Sequence, residues 1–410
     1  MKLLIKYIKV ILIMLIIMVA SLVIVSCIPS KYIKENTEKA AEVFKSEGQI
    51  PKISYIYLDN FTDSVMMNIA YTIDNNTPYM SAIKNNISLS EEKDLENPVY
   101  NLEALLNNEA NEMYLYSRYW NGYLLYVRPL LVIFDYNMIR YLLTAIIFSL
   151  GIIVSCLIYK KLGLNYAIVT IISLILFGYQ FLGLSIQFFS VAMIMMISSI
   201  YILIKFSDIK NINIVFFIIG GLTSFFDLLT APIITFGFPA ILWIALVIKE
   251  EKHKDKEKEK QNNIKYLILI LINWFLGYVI IWSSKWVIGE ISGVRTITDA
   301  IYQLLSRTGN NINGEKINVF KVINNNILFT KIPSIIYIYI FIILGINIKI
   351  KNRKNNISYL VIAILPIIWY ICTQNHSYIH ARFTYRALLI TILSISFAII
   401  PSFRLEKKEK

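Results

Sequence analysis

Runs of about 20 consecutive apolar residues recur along the whole chain, and no other feature limits its fold so strongly. Each run can cross a hydrocarbon layer about 30 Å thick. Inside such a layer every backbone N–H and C=O must be satisfied within the protein, so spans of this kind are helices. Ten are read from the sequence: 6–28, 138–158, 165–183, 187–205, 213–229, 231–248, 266–287, 333–349, 358–373 and 387–402. The composition agrees: 57% of the 410 residues are hydrophobic and only 16% are charged, where a soluble domain carries about a quarter charged residues. A soluble enzyme is excluded, and the expected fold is an all-α polytopic membrane protein of about ten transmembrane helices.

Forty Lys and Arg against 27 Asp and Glu give a net charge of +13. Basic residues gather in cytoplasmic loops of membrane proteins, and no basic stripe with interleaved aromatics lies in a foldable soluble domain, so nucleic acid is not an expected partner. Lys2, Lys6 and Lys9 put the N-terminus in the cytosol. Lys160 and Lys161, Lys205 and Lys210, the run KEEKHKDKEKEK at 249–260, KIKNRKNN at 349–356 and the C-terminal RLEKKEK then fall on the same side. The expected organisation is N-in/C-in. Residues 1–28 form the first transmembrane helix and 29–138 a large mixed extracytoplasmic loop with amphipathic helices. Residues 139–410 form a nine-helix region with a cytosolic charged loop at 249–265 and an outer loop at 288–332. Ile24-Val25-Ser26-Cys27 also fits a lipoprotein cleavage site, with Cys27 as the lipidated end; an uncleaved anchor is the preferred reading. The three cysteines are too few for a disulfide framework and lack metal-ligand spacing.

The loop 29–138 holds 15 of the 27 acids. Residues 38–47 suit a surface helix, and 53–59 alternate like a short strand. Residues 64–73 suit a helix capped by Thr62 or Asp63, and 84–96 a surface loop. Residues 114–134, aromatic and apolar with only Arg118 and Arg128 charged, suit a helix at the membrane interface.

The spans are nearly free of charge at their centres, where transporters and proton relays place their ionisable groups. The exceptions lie at outer ends. Asp227, in SFFDLLTAP, is 17 residues beyond Lys210, or about 25 Å along a helix. Lys285 lies in WSSKW, and His376, His380, Arg382 and Arg386 fill QNHSYIHARFTYR. Asp59 and Asp63 stand in the outer loop. Each has a plain structural reading, as cap, interfacial anchor or snorkelling cation, but together they converge on one face. Carboxylates beside a cationic cluster suit transfer from a lipid phosphate. A carboxylate takes the proton of the attacking hydroxyl, and Arg and Lys neutralise the leaving phosphate. Tyr119 and Trp120 supply aromatic faces for a sugar or polyprenyl chain. His376 and His380 are spaced i, i+4 without the glutamate of the metalloprotease pattern. No metal site and no cofactor are therefore expected, with a divalent metal as the lesser alternative.

The segments LDNFTDSVMMNIAY at 58–71, RYWNGYLLYVRPLL at 118–131, TSFFDLLTAP at 223–232, SKW at 284–286 and NHSYIHARFTYR at 375–386 resemble multi-pass proteins of bacterial surface-polysaccharide loci, related to the GT-C class of membrane glycosyltransferases. The resemblance implies a GT-C-like fold in the bacterial plasma membrane. It also implies a catalytic base in the first outer loop, at Asp59 or Asp63. The expected partners are a polyprenyl-linked sugar donor, a glycan or lipid-linked acceptor and the lipid bilayer. The substrate-binding candidates are Arg118, Tyr119, Trp120, Arg128, Asp227, Lys285, His376, His380, Arg382 and Arg386. In the GT-C class the key acid usually follows the first span closely, whereas Asp59 comes about 30 residues after it. The alternatives are a lipid-linked oligosaccharide flippase or other transporter, and a polysaccharide polymerase or ligase.

Overall fold

A computed structural model describes residues 2–90, 95–253, 263–312, 314–330 and 353–400. The expected span 333–349, most of the charged run 249–260 and the C-terminal tail lie outside these residues. The framework is helical. Among the described residues six helices are long and apolar enough to cross a membrane: Lys2–Ser26, Tyr136–Leu162, Ile186–Asp208, Ile233–Glu251, Asn263–Ile291 and Ala381–Ile399. Shorter apolar helices cover Leu124–Ile133, Leu164–Leu176, Ile212–Phe226 and Ile357–Cys372.

The first helix, α1 (Lys2–Ser26), buries one stripe, Met14, Met18, Leu22 and Val25, at the spacing of a single helical face. Its other apolar residues, such as Ile13, Ile16, Ile17 and Ile24, face outward, as a lipid-facing surface requires. Residues 27–135 form short helices: α2 (Lys34–Glu47), α3 (Asn60–Thr72), α4 (Pro78–Lys84), α5 (Pro98–Leu106) and α6 (Leu124–Ile133). Three two-stranded antiparallel sheets complete the described structure.

Four local expectations change. Residues 84–96 are not a surface loop throughout, because Ile87–Leu89 form a buried strand paired antiparallel with Glu112–Tyr114. Residues 53–59 form no single strand, because Ser54 adopts φ 57° and turns the chain into a hairpin of Lys52–Ile53 with Ile56–Tyr57. Helix α3 is capped by Asp59, whose Oδ1 accepts from Thr62 N at 3.1 Å and whose Oδ2 accepts from Thr62 Oγ1 at 2.9 Å. The aromatic stretch 114–134 is helical only over Leu124–Ile133; Trp120 and Tyr123 instead pass through the interior in irregular backbone.

Six apolar helices follow: α7 (Tyr136–Leu162), α8 (Leu164–Leu176), α9 (Ile186–Lys205), α10 (Ile212–Phe226), α11 (Ile233–His253) and α12 (Asn263–Ile291). Beyond lie α13 (Thr296–Thr308), α14 (Val319–Leu328), α15 (Arg353–Cys372), α16 (Gln374–Ile379), α17 (Ala381–Thr384) and α18 (Leu388–Ile399). The expected span 165–183 is interrupted: Gly178 at φ 74° ends the helical run and a 3-10 turn, Tyr179–Leu184, follows. Helices α10 and α12 approach closely at Gly220 and Gly277. A methyl group on Gly220 would fall on the Trp274 carbonyl, and one on Gly277 on the Phe217 carbonyl.

Segment 27–135 is bolted to one end of the spans. Gly122 N donates to Phe225 O at 2.9 Å, and Trp120 Nε1 to Ile281 O at 2.8 Å. The strongest bolt is Asp63. Its Oδ2 accepts from Tyr136 OH at 2.6 Å and Ile186 N at 2.9 Å, and its Oδ1 accepts from Gln187 N at 3.1 Å. Asp63 thus stands at the N-terminus of α9, where free N–H groups and the helix dipole favour an anion. Asp63→Asn keeps the shape but turns an NH2 group toward one of these donors. The melting temperature of the detergent-solubilised protein should fall, by an amount equivalent to about 1–3 kcal/mol for one buried donor left unpaired, while insertion into membranes persists.

Candidate functional site

Four elements converge at the end that carries segment 27–135: the turn after α10, the C-terminus of α13, the run from α16 to the start of α18, and the irregular stretch 114–123. At the first, Asp227 ends α10 and its Oδ1 accepts from Thr230 N at 2.8 Å. Its Oδ2, buried, makes no hydrogen bond within the chain. Leu229, in the same turn, has φ 70°, a left-handed conformation that costs a non-glycine residue about 1–2 kcal/mol.

That turn aims the Leu229 carbonyl at His376, whose Nε2 lies 2.7 Å away. A carbonyl only accepts, so Nε2 carries the proton and Nδ1 is left as a lone-pair acceptor. Nδ1 is buried and unpartnered, as is Nδ1 of His380; the two rings are 4.8 Å apart. Both imidazoles stay neutral at pH 7. Burial, then His380 and Arg307, hold His376 well below its ordinary value. Burial, then Arg382 and Arg307, push His380 down to about 3. A neutral His376 with an open Nδ1 suits a hydroxyl donor better than a phosphate oxygen. Among the described residues no group of three His, Cys, Asp or Glu could hold a metal ion.

The cations stand around these rings. Arg307, on α13, lies 5.5 Å from the Tyr119 ring centroid, and its buried Nη1 has no partner. Arg382 is half-buried with its Nε unpartnered. Arg386 packs over Phe188 at 3.9 Å and donates to the carbonyls of Arg382 and Tyr57, each at 3.3 Å. Asp59 is fully buried; burial raises its carboxyl, while Arg382 draws it back ahead of its bonds from Thr62 and the field of Arg386. Tyr119 stacks on Trp282 at 5.9 Å, giving the cluster an aromatic wall. Arg118 lies over Tyr116 at 4.1 Å and pairs with Asp299 at 3.0 Å.

The structure thus brings together Asp59, Asp227, Tyr119, His376, His380, Arg382 and Arg386, with Arg118 at the edge through Tyr119. Four other candidates are engaged by the fold. Lys285 Nζ donates to the carbonyls of Ala82 and Ile83 at 3.0 and 2.8 Å, ending α4. Arg128 donates to the carbonyls of Val25, Ala70 and Ile28. Trp120 is buried against Phe225, and Asp63 has its three donors. Sequence reasoning missed Arg307 and Asp299. One signal was available: the chain holds only nine arginines among its 40 basic residues, and seven lie in 118–140, 295–307 and 382–386.

What fold and site together define is a helical membrane protein with a buried, partly unpaired polar cluster at one end of its spans. No protein-family model matches the chain, and neither a curated protein nor a solved structure matches it.

Burial pushes the Asp227 carboxyl up to about 6, with the backbone N–H and side-chain hydroxyl of Thr230 and the N–H groups of Leu229 and Leu228 drawing it back. A raised value means that the folded protein binds the extra proton. The contribution of Asp227 to stability is therefore full below its unfolded value, about 3.9, and is lost as pH rises through the folded one. Asp227→Asn lacks this loss. Between about pH 4 and 7 the melting temperature of Asp227→Asn should gain on that of the wild type as pH rises; a constant difference would show that Asp227 is not held in this way.

Proposed function

We propose that this protein is a membrane glycosyltransferase of GT-C-like kind, moving a sugar from a polyprenyl-phosphate donor to a glycan or lipid-linked acceptor. The observation that carries this reading is the set of unpaired buried atoms on Asp227, His376, His380, Arg307 and Arg382 around the Tyr119 wall. It offers, at the membrane end of a helical bundle, separate partners for a phosphate, a sugar hydroxyl and a reacting proton. The proposal adopts ten spans with both termini in the cytosol, from the Lys and Arg bias. Segment 27–135 and the cluster then face outward from a bacterial plasma membrane.

In the proposed reaction the acceptor hydroxyl gives its proton to a carboxylate as its oxygen attacks C1 of the donor sugar. The bond from C1 to the phosphate oxygen breaks, and polyprenyl phosphate leaves with the electron pair. Arg307 and Arg382 neutralise the charge on that phosphate. Of the two carboxylates near the arginines, Asp59 has each oxygen bonded to Thr62, whereas Asp227 keeps Oδ2 open. We assign Asp227 as the base and Asp59 as the residue that orients Arg382 and Arg386. Asp63, expected from the resemblance as the other base, serves the N-terminus of α9 instead. The transporter alternative is less well supported, since the unpaired polar atoms of this cluster gather at one end of the bundle.

Sugar transfer in isolated membranes supplied with radiolabelled polyprenyl-phosphate hexoses tests this. Asp227→Asn should lower kcat by about 10²–10⁴, the usual loss of a general base, with little change in KM. Arg382→Ala should reduce kcat and raise KM together. Asp59→Asn should fall between wild type and Asp227→Asn. No transfer by the wild type with any donor, alongside movement of labelled lipid between leaflets, would make the protein a transporter.

A further inference from the structure

Helix α13 has its charges on the wrong side for a helix facing water. Its buried stripe is Thr296 and Ala300, with Gln303 and Arg307 half-buried farther along. Within the helix, both charged side chains turn toward the protein. Asp299 pairs with Arg118 at 3.0 Å, and Arg307 reaches the Tyr119 ring at 5.5 Å. The opposite face presents Ile301, Tyr302, Leu304 and Leu305 outward, with Leu305 66% exposed. No Lys, Arg, Asp or Glu lies among residues 300–306. In water such a helix would turn its apolar side inward and its charges out.

The chain leading into α13 says what covers this face. Helix α12 ends in a paired-bond turn: Gly293 N donates to Glu290 O at 3.0 Å and Val294 N to Gly289 O at 2.9 Å, with Gly293 at φ 78°. This arrangement stops a helix sharply, so α13 begins within a few residues of the last turn of an apolar span. That last turn exposes Val287 and Ile291, the latter to 82%, while its one charged residue, the exposed Glu290, is turned to the start of α13, where its Oε2 accepts from Ile297 N at 3.2 Å. The apolar face of α13 therefore continues the lipid-facing surface of α12. Helix α14 differs, because its exposed Phe320, Ile327 and Leu328 are mixed with exposed Lys321 and Asn324.

We infer that α13 is an interfacial helix, seated with Ile301, Tyr302 and Leu305 in the boundary between acyl chains and headgroups of the bilayer. A helix with one apolar face takes that position by burying the face in lipid. Its polar side is tied to the protein. Thr296 Oγ1 donates to Ser117 Oγ at 2.9 Å, Asn375 Nδ2 to Ser306 O at 2.8 Å, and Asn375 N to Gly309 O at 3.1 Å. Lipid on one side and these bonds on the other fix α13 between the membrane and the polar cluster, and so keep Arg307 close enough for its charge to act on His376 and His380. The inference requires only a membrane protein and does not rest on glycosyl transfer.

The test is the environment of single labels. Cys27, Cys156 and Cys372 are exposed and are replaced by Ser. Single cysteines are then introduced at Ile301, Tyr302 or Leu305, and for comparison at the exposed Glu315 or Lys316 of the strand that pairs with Asn311–Ile312. The full chain is labelled with an environment-sensitive fluorophore and placed in nanodiscs of phosphatidylethanolamine and phosphatidylglycerol. Labels at all three α13 positions should emit blue-shifted from those at Glu315 and Lys316. They should lose fluorescence to lipids carrying a nitroxide near the headgroup, and resist quenching by iodide. If iodide quenches the α13 labels as fully as the comparison labels and the lipid nitroxide does not, α13 faces water and the inference fails. If neither quencher reaches them, another protein surface covers α13 and the inference also fails. The readout is independent of transfer activity, so an inactive protein with lipid-quenched labels would overturn the proposed function and leave this inference standing.

Discussion

The structure hangs on one buried carboxylate. Asp63 accepts from the hydroxyl of Tyr136 at the start of α7 and from two N–H groups at the start of α9. The Tyr136 ring lies under the Arg140 guanidinium at 4.3 Å. Arg140 in turn forks onto both oxygens of Glu47 at 2.8 and 3.0 Å, and reaches Asn60 Oδ1 at 2.7 Å. Asn60 closes the loop with bonds to Glu47 Oε2 and Gly48 O at 3.0 and 2.9 Å. One polar chain thus joins α2, α3, α7 and α9. Burial still pushes the Asp63 carboxyl up to about 7, because desolvation outweighs even three donors. Groups buried this deeply are usually hydrogen-bonded, and these bonds reach across four helices, so the chain specifies how segment 27–135 seats on the spans.

Correct seating makes the cluster. With α3 fixed, its cap Asp59 lies within the field of Arg382 and Arg386. With stretch 114–123 fixed, Tyr119 meets Arg307 from α13. The turn at 227–230 is then bent until Leu229 enters the left-handed region, and its carbonyl locks the His376 tautomer. Backbone strain of this kind, about 1–3 kcal/mol, persists where the surroundings over-determine a residue, and here it leaves one lone pair of His376 open. Buried side-chain atoms without partners occur elsewhere among the described residues, as at Asn85, Gln187 and Trp369, but at this place several stand together in one cluster.

Much of this was legible. Six of the expected spans are helices long and apolar enough to cross a membrane, and three more coincide wholly or in part with shorter apolar helices, because a hydrocarbon layer imposes both length and apolarity on the sequence. The convergence of Asp227 with His376, His380, Arg382 and Arg386 was legible too, since each stands at a span end. Lys285, Arg128 and Asp63 were not separable from them by residue type. All three are ions at the same end, but helix-end carbonyls take the donors of the first two and helix-start N–H groups take the oxygens of the third. Arg307 escaped because it lies in a polar stretch between spans, where a single arginine carries no period or spacing. The same stretch hid α13, whose charges look ordinary until the fold shows that they point inward.

Composition and periodicity alone determined that this chain is helical, lives in a membrane and gathers its ionisable side chains at span ends, since these follow from the energy of apolar and polar groups in lipid. Which of those side chains remain unpaired was decided only by tertiary structure. A hydrogen-bonding group is engaged or left open according to the carbonyl or N–H that the fold brings within about 3 Å, and partners more than a hundred residues apart, such as Asp63 with Gln187 or His376 with Leu229, have no local signature in the sequence.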